Sequence, residues 1–230
     1  MRLDALLSRY GYCSRREAPG WIKRHSITFK GEACTSPRDK VQTEDVLVDG
    51  DPVEFPDGLY VALNKPLGYT CSHDGEEGDV IYDLLPFQWR HRNPAVSSVG
   101  RLDKETSGLL LITDDGKFIH RMTSPRHHVP KVYEAVTEED IPAEAVELFA
   151  SGTLTLHGED RPCSPARLEI MEPRRARLTL TEGKYHQVRR MLAAVGAPVV
   201  SLCRISIGPL NLDSLHLEPG EWMPVNPGEL

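Results

Sequence analysis

The sequence of 230 residues has no apolar run long enough to cross a bilayer, no C-x-x-C pair and no internal repeat. Its five cysteines are scattered singly, so we expect reduced thiols rather than a disulfide framework or a structural zinc site. The first residues lack the ordered basic, apolar and small-residue segments of a signal peptide. These absences predict a soluble cytoplasmic protein with no membrane partner.

The chain also lacks the overall positive charge typical of nucleic-acid-binding proteins, because its formal charge is −7 at pH 7. The charge is unevenly distributed, however. Residues 1–40 hold nine basic and four acidic side chains, a net charge of +5, whereas residues 41–60 hold six acids and no lysine or arginine. The basic residues at the front of the chain indicate a small N-terminal module that contacts phosphates.

The N-terminal module has the pattern of two helices followed by short strands. Ser14 and Glu17 form a capping-box pattern for the second helix. Pro19 follows directly, so this helix must start late or kink, since a proline inside a helix removes a backbone hydrogen bond. Strands are predicted at 27–31 and 46–50, and the acidic segment 50–58 with its proline and glycines is the predicted linker.

The remainder of the chain alternates strand and helix patterns without the regular spacing of a doubly wound sheet. Strands are predicted near 59–63, 108–113, 131–137, 166–171, 175–181 and 199–207, and helices near 115–122, 142–150 and 186–195. The strands at 166 and 175 are separated by three residues and should pair antiparallel. We therefore predict an α+β protein, with a small domain at 1–57 and a larger domain at 58–230 that has a mainly antiparallel sheet.

A polar segment that leads into an apolar strand is the most specific motif of the chain. Residues 100–111 read GRLDKETSGLLL, which by itself is compatible with an ordinary surface turn. The segment matches the signature G-R-L-D-x-x-T-x-G-L-L-L of the pseudouridine synthases of the ribosomal small-subunit and large-subunit types. Three more blocks match in order: NKPLG from residue 64, KVY from residue 131 and EGKYHQVRRM from residue 182. The chain resembles this family over essentially its whole length.

The resemblance also implies a partner. The N-terminal domain is similar to the S4-type RNA-binding module, which contacts phosphates and fixes position rather than reading sequence. Its expected phosphate contacts are Arg2, Arg9, Arg15, Arg16, Lys23, Arg24 and Lys30. The blocks SPRHH from residue 124 and YHQV from residue 185 favour the 16S ribosomal RNA type over the 23S type. The implied partner is 16S ribosomal RNA or a small-subunit assembly particle, bound by a monomer.

The resemblance assigns the essential carboxylate to Asp103, which could attack the sugar, attack the base or remove a ribose proton. Arg101 is then expected to insert beside the flipped nucleotide, and Tyr133 to pack against the base in the active site. A carboxylate in a pocket that excludes water stays ionised more readily beside a cation. We expect Arg189 to be that cation, held in place by the apolar stripe of the helix from 186.

Lys65, Lys131 and Lys184 lie in or next to the matching blocks and are expected to form an RNA-binding rim. The isomerisation needs no metal and no organic cofactor, and no cluster of metal ligands is visible in the sequence. Two other functions fit less well. A noncatalytic RNA-binding protein of ribosome assembly would be expected to have lost the aspartate. A glycosidase would need a second carboxylate, for which Glu105 is the nearest candidate.

Overall fold

The computed structural model describes residues 1–76 and 78–230. The N-terminal part has two helices and four strands: α1 (Leu3–Arg9), α2 (Ala18–Ile22), β1 (Ile27–Phe29), β2 (Glu32–Ala33), β3 (Val46–Val48) and β4 (Asp51–Pro52). The strands form an antiparallel sheet in the order β2-β1-β3-β4. Both helices pack on it through a core of their own that includes Leu3, Leu6 and Ile22.

The start of α2 explains how the sequence accommodates its proline. The Ser14 amide donates to Glu17 Oε2 at 3.0 Å, and the Glu17 amide donates to Ser14 Oγ at 3.3 Å, which is the reciprocal capping box that the sequence predicts. The helix begins only at Ala18 and places Pro19 in its first turn. A proline costs no hydrogen bond there, because the first amides of a helix have no partner within it. The late start of the helix is confirmed.

The larger part contains nine strands and five α-helices within the described residues. They are β5 (Tyr60–Lys65), α3 (Phe87–Arg90), β6 (Ser97–Ser98), β7 (Ser107–Thr113), α4 (Gly116–Thr123), β8 (Lys131–Thr137), α5 (Ala145–Ser151), β9 (Arg167–Glu172), β10 (Arg175–Leu180), α6 (Gln187–Ala194), β11 (Val199–Ile207), β12 (Leu210–Asn211), α7 (Leu212–Leu215) and β13 (Trp222–Pro224). The sheet order is β13-β5-β7-β11-β8-β10-β9, with β6 beside β7 and β12 beside β11. Its pairs are antiparallel apart from β7 and β11, which confirms the predicted class.

All of the predicted strands and helices of this domain are present, and β8 and β11 have the predicted bounds. The elements that the sequence did not indicate are short, such as α3, β6 and β13, because two to four residues are too few for a periodic pattern. None of the helices in the described ranges is long and apolar enough to cross a membrane.

The segment 50–58 connects the two parts of the chain and contacts both of them. Its first residues form β4, and the residues that follow contact the larger domain, where Trp89 Nε1 donates to Glu54 Oε2 at 2.7 Å. The two domains also meet directly, since Gln88 Nε2 donates to the Tyr10 carbonyl at 3.2 Å. Gly11 has φ +79°, and a Cβ there would lie 1.9 Å from the carbonyl oxygen of Gln88. Glycine therefore permits this close approach between the domains.

A buried ion pair lies behind this contact. Arg92 Nε donates to Asp114 Oδ2 at 2.9 Å, and both side chains are almost fully buried. The other guanidinium nitrogens donate to the carbonyls of Glu54 and Phe55 at 3.3 and 3.2 Å. The guanidinium carbon also lies 4.9 Å from the ring centroid of Tyr10. Arg92 thus ties the N-terminal domain and the connecting segment to the larger domain.

Candidate active site

A cavity of about 400 Å³ opens on one face of the large sheet. One side is the loop 100–106, and the other is the segment 182–188 that leads into α6. Strands β8, β10 and β11 supply the floor, with Lys131, Tyr133, Leu180, Leu202 and Arg204. Lys131 and Tyr133 are two residues apart on one strand and therefore face the same side of the sheet. The register pairs Tyr133 directly with Arg204 across the β8–β11 ladder.

Asp103 stands on the loop above this floor, with 38% of its side chain exposed. The Thr106 amide donates to the Asp103 carbonyl at 3.0 Å and closes the loop into a turn. The Lys65 ammonium lies beneath the turn and donates to the carbonyls of Thr106 at 2.8 Å, Pro66 at 3.0 Å and Lys104 at 3.4 Å. These bonds hold the loop that carries Asp103.

The position of Lys65 corrects its expected role in an RNA-binding rim. Its side chain is fully buried, so it cannot contact a phosphate from solution. Burial lowers the pKa of Lys65, because the charged form has lost its hydration. The three backbone carbonyls take the place of water, and Lys65 is a structural support of the loop.

The geometry of the sheet explains why a glycine, Gly108, follows the Asp103 loop. Gly108 lies in the parallel pairing of β7 with β11, in register with Arg204, and has φ +103°. A Cβ at this position would lie 2.3 Å from the Arg204 carbonyl oxygen and 2.8 Å from Cys203 Sγ. Only a residue without Cβ permits this approach, which brings the Asp103 loop next to the floor residue Arg204.

The side chain that faces Asp103 is a histidine to which the sequence motifs assign no role. His186 Nε2 lies 3.4 Å from Asp103 Oδ1, so the two side chains form an ion pair whenever the imidazole is protonated. His186 precedes α6 with φ +47°, and the ring of Tyr185 stacks on it with 3.8 Å between centroids. A single residue with left-handed backbone before a helix has no periodic sequence pattern that would predict it. The only sequence feature that includes His186 is the block EGKYHQVRRM.

Arg189 does not form the expected ion pair with Asp103. Its guanidinium donates to the Glu105 carbonyl at 2.6 Å and to the Val199 carbonyl at 3.2 Å. No ion pair within 4.0 Å joins it to Asp103 in the described residues. The side chain instead spans from α6 to the loop and to β11. Arg189 therefore fixes the loop two residues after Asp103 and does not touch the carboxylate.

Lys131 and Arg101 both line the cavity, but at different depths. Lys131 is half-buried and donates to the Val129 carbonyl at 3.2 Å. Burial, and then the neighbouring charge of Arg204, lowers the pKa of Lys131. Arg101 is exposed at the mouth. Arg101 can contact a ligand outside the cavity, whereas Lys131 can only contact a group that enters it.

Lys184 also lines the cavity but already has an acidic partner. Its ammonium lies 3.2 Å from Glu159 Oε2 and donates to the Arg161 carbonyl at 2.9 Å. Arg190 binds the same carboxylate at 2.9 Å. The positive charge of Lys184 is thus largely offset within the protein, and its main contribution is to the shape of the cavity wall.

The expected phosphate contacts of the N-terminal domain lie on its surface. Arg16, Lys23 and Arg24 are exposed, and no salt bridge involves them among the described residues. Arg15 is exposed as well, but its guanidinium lies 3.5 Å from the carboxylate of Asp4. Arg9 is likewise exposed without a salt bridge, so four of the expected cations have no ion-pair partner within the described residues and remain available for an anionic partner.

Comparison with known proteins matches both domains. The family model for RNA pseudouridylate synthase matches residues 59–194, and the S4 domain model matches residues 1–53. The ribosomal small subunit pseudouridine synthase A of Escherichia coli K12 is 41% identical over 234 residues, covering 100% of this chain and 98% of the relative. Its Haemophilus influenzae counterpart is 37% identical over 232 residues with the same coverage. A crystal structure of a pseudouridylate synthase has a TM-score of 0.69 at 36% identity, covering 100% of this chain and 97% of that one.

Proposed function

Since the chain belongs to the RNA pseudouridylate synthase family, we propose that it converts a uridine of small-subunit (16S) ribosomal RNA into pseudouridine, with Asp103 as the catalytic carboxylate. The reaction breaks the bond between N1 and C1′, turns the freed uracil and joins C5 to C1′. No atom is gained or lost. The observation that carries the proposal is the carboxylate of Asp103 above a cavity that is large enough for a nucleobase and floored by Tyr133.

The geometry supports a division of labour among the other residues. The target base must leave its stack, which costs a few kcal/mol, and stacking on an aromatic ring recovers about 1–3 kcal/mol. Tyr133 on the floor supplies that ring, and Arg101 at the mouth can occupy the space that the base leaves. Arg189 and Lys65 are positioning residues, because both bind carbonyls of the Asp103 loop.

The S4 domain supplies the sequence-independent part of the affinity in this proposal. Its exposed cations lie on a domain that is joined to the catalytic part through Arg92, so RNA bound by these cations is held at a fixed position relative to the catalytic domain. We further propose a boundary between residues 57 and 58, a monomer as the active form, the cytoplasm as its location, and either naked RNA or an assembling small-subunit particle as its substrate.

The competing functions receive less support from the cavity. Asp103 and Glu182 are the carboxylates that line it in the described part of the chain. Glu182 accepts hydrogen bonds from the amide and hydroxyl of Ser164 and from the side chain of Gln187. It is therefore unavailable as the second acid or base of a glycosidase. Glu105, the earlier candidate, is exposed and does not line the cavity.

The proposal is tested by mapping pseudouridines after incubation of the purified protein with 16S RNA, with 23S RNA and with small-subunit particles. We expect a single new pseudouridine in 16S RNA, either naked or in the particle, and none with Asp103→Asn. Modification of 23S RNA alone would overturn the assignment to the small subunit. Tight binding without any modification would instead support the noncatalytic RNA-binding protein.

A further inference from the structure

Arg204 is a buried cation whose guanidinium is only partly bound by the protein. Its side chain is 2% exposed, and its Nε donates to the Leu109 carbonyl at 2.7 Å. Nη2 is buried without a hydrogen-bond partner in the described residues, and none of the salt bridges recorded there involves Arg204. A buried donor without a partner costs about 1–3 kcal/mol, and more when the group is charged. A buried donor that the protein leaves unpaired at this free-energy cost therefore indicates a role in binding or catalysis.

A second unpaired group lines the same cavity. Thr106 is 1% exposed, and its Oγ1 has no hydrogen-bond partner in the part of the chain that the structure describes. Arg204 and Thr106 both belong to the wall of the Asp103 cavity, and Lys131 lies beside Arg204 with a single backbone acceptor. The deep end of the cavity therefore combines a buried and a half-buried positive charge with polar atoms that have no partner among the described residues.

We propose that Arg204 donates a hydrogen bond to a carbonyl oxygen of the flipped uracil and stabilises the negative charge that the ring acquires when N1 separates from C1′. This inference rests on the proposed function. Arg204 is the cross-strand neighbour of Tyr133, with its guanidinium carbon 6.0 Å from the ring centroid. A base that packs on Tyr133 is thus adjacent to the guanidinium. The phosphates of a flipped nucleotide stay at the mouth, where Arg101 is exposed.

The chemistry gives this hydrogen bond a catalytic effect. The electron pair of the N1–C1′ bond stays with the uracil ring, where the negative charge is shared with O2 and O4. The ring then forms the C5–C1′ bond, the proton on C5 leaves, and N1 gains a proton. Arg204 keeps its own protons throughout, because a guanidinium does not ionise in proteins. Its bond to the ring is stronger while the ring is charged, so it lowers the barrier more than it tightens binding.

The test uses RNA in which the target uridine, once mapped, is replaced by 2-thiouridine or 4-thiouridine. Sulfur is a weak hydrogen-bond acceptor, so the wild-type protein should lose about 10- to 100-fold in single-turnover rate with the thio substitution at the oxygen that Arg204 contacts. Arg204→Met should be slow with normal RNA and should show no further loss with that thio substrate. Arg204→Lys, which keeps the charge, should recover part of the rate.

Arg92→Met is the matched control, since it also removes a buried arginine, but one that does not line the cavity. Although Arg92→Met should lower the stability of the protein, thio substitution should reduce its single-turnover rate by the same factor as in the wild-type protein. A thio effect of unchanged size in Arg204→Met would overturn the inference, as would wild-type rates that are insensitive to both thio substitutions. If Arg204→Met does not fold, the rates of Arg204→Lys test the inference instead. The lysine places its donor at a different position, so the rate loss caused by the thio substitution should be smaller than in the wild-type protein. A wild-type protein that forms no pseudouridine would instead refute the proposed function.

Discussion

The contact between the domains allows a quantitative prediction for Arg92. Its guanidinium binds the carboxylate of Asp114 and the carbonyls of Glu54 and Phe55, and it covers the ring of Tyr10. Only 1% of the Arg92 side chain and 6% of the Asp114 side chain are exposed. Removal of one partner from such a buried pair costs about 3–5 kcal/mol, because the other charge remains buried without compensation.

We therefore expect Arg92→Met to lower the free energy of unfolding by about 3–5 kcal/mol in urea. At about 2–4 °C per kcal/mol for a chain of this size, the melting temperature should fall by about 6–20 °C. Part of this loss should be recovered by adding Asp114→Asn. That change removes the unpaired charge and keeps an acceptor for the Leu59 amide, which donates to Asp114 Oδ1 at 2.9 Å.

Arg174 and Asp140 provide the control, as an ion pair at 3.0 Å with 60% and 70% of their side chains exposed. Arg174→Met should lower the free energy of unfolding far less than Arg92→Met, because exposed ion pairs are screened by water and contribute little. A loss of less than about 1 kcal/mol in Arg92→Met would refute the reasoning, since the buried pair would then contribute no more than the exposed one. So would a double variant that is less stable than Arg92→Met alone.

Two other predictions concern alkaline stability and RNA affinity. Burial, followed by the carboxylate of Asp115, raises the pKa of Tyr60 to about 12, so its contribution to stability is complete below about pH 10 and disappears as the pH rises towards 12. Tyr60→Phe should therefore flatten the decline of the urea midpoint between pH 10 and 12, and an equal decline would contradict this. Replacement of Arg16, Lys23 and Arg24 by Gln should weaken RNA binding and lower the slope of log K against log salt by about 2–3. An unchanged slope would show that these cations do not contact phosphates.

The sequence predicted the strands that carry the site because each has a clear local signal. β7 is a run of apolar residues that are almost all buried, and the middle of β11 alternates between buried and half-buried positions, so both strands have a pattern that is visible in the sequence. The pairing of β7 with β11 is parallel and joins residues almost a hundred positions apart. No local pattern encodes such a contact, although Gly108 marks it once the geometry is known.

Several residues of the site lie in environments that their residue type does not predict. Lys65 was expected to be exposed because lysine is rarely buried, yet three carbonyls of one turn provide a substitute for water. Arg189 was expected to face Asp103. Helical spacing predicts on which side of α6 the residue lies, but it does not predict which group the end of a long side chain contacts, and here that group is the Glu105 carbonyl. No sequence pattern indicated that Arg204 lines the cavity. Its position became apparent only from the strand register, which pairs it with Tyr133.

The release of tritium from RNA that carries uridine labelled at C5 tests the central claim most directly, because C5 exchanges its hydrogen for the bond to C1′ in every turnover. The wild-type protein should release one tritium for each target site. Asp103→Asn keeps the size of the side chain and removes its charge, so it should bind the same RNA with nearly unchanged affinity and release none. Tritium release by Asp103→Asn at more than a small fraction of the wild-type rate would contradict the assignment of Asp103 as the catalytic carboxylate.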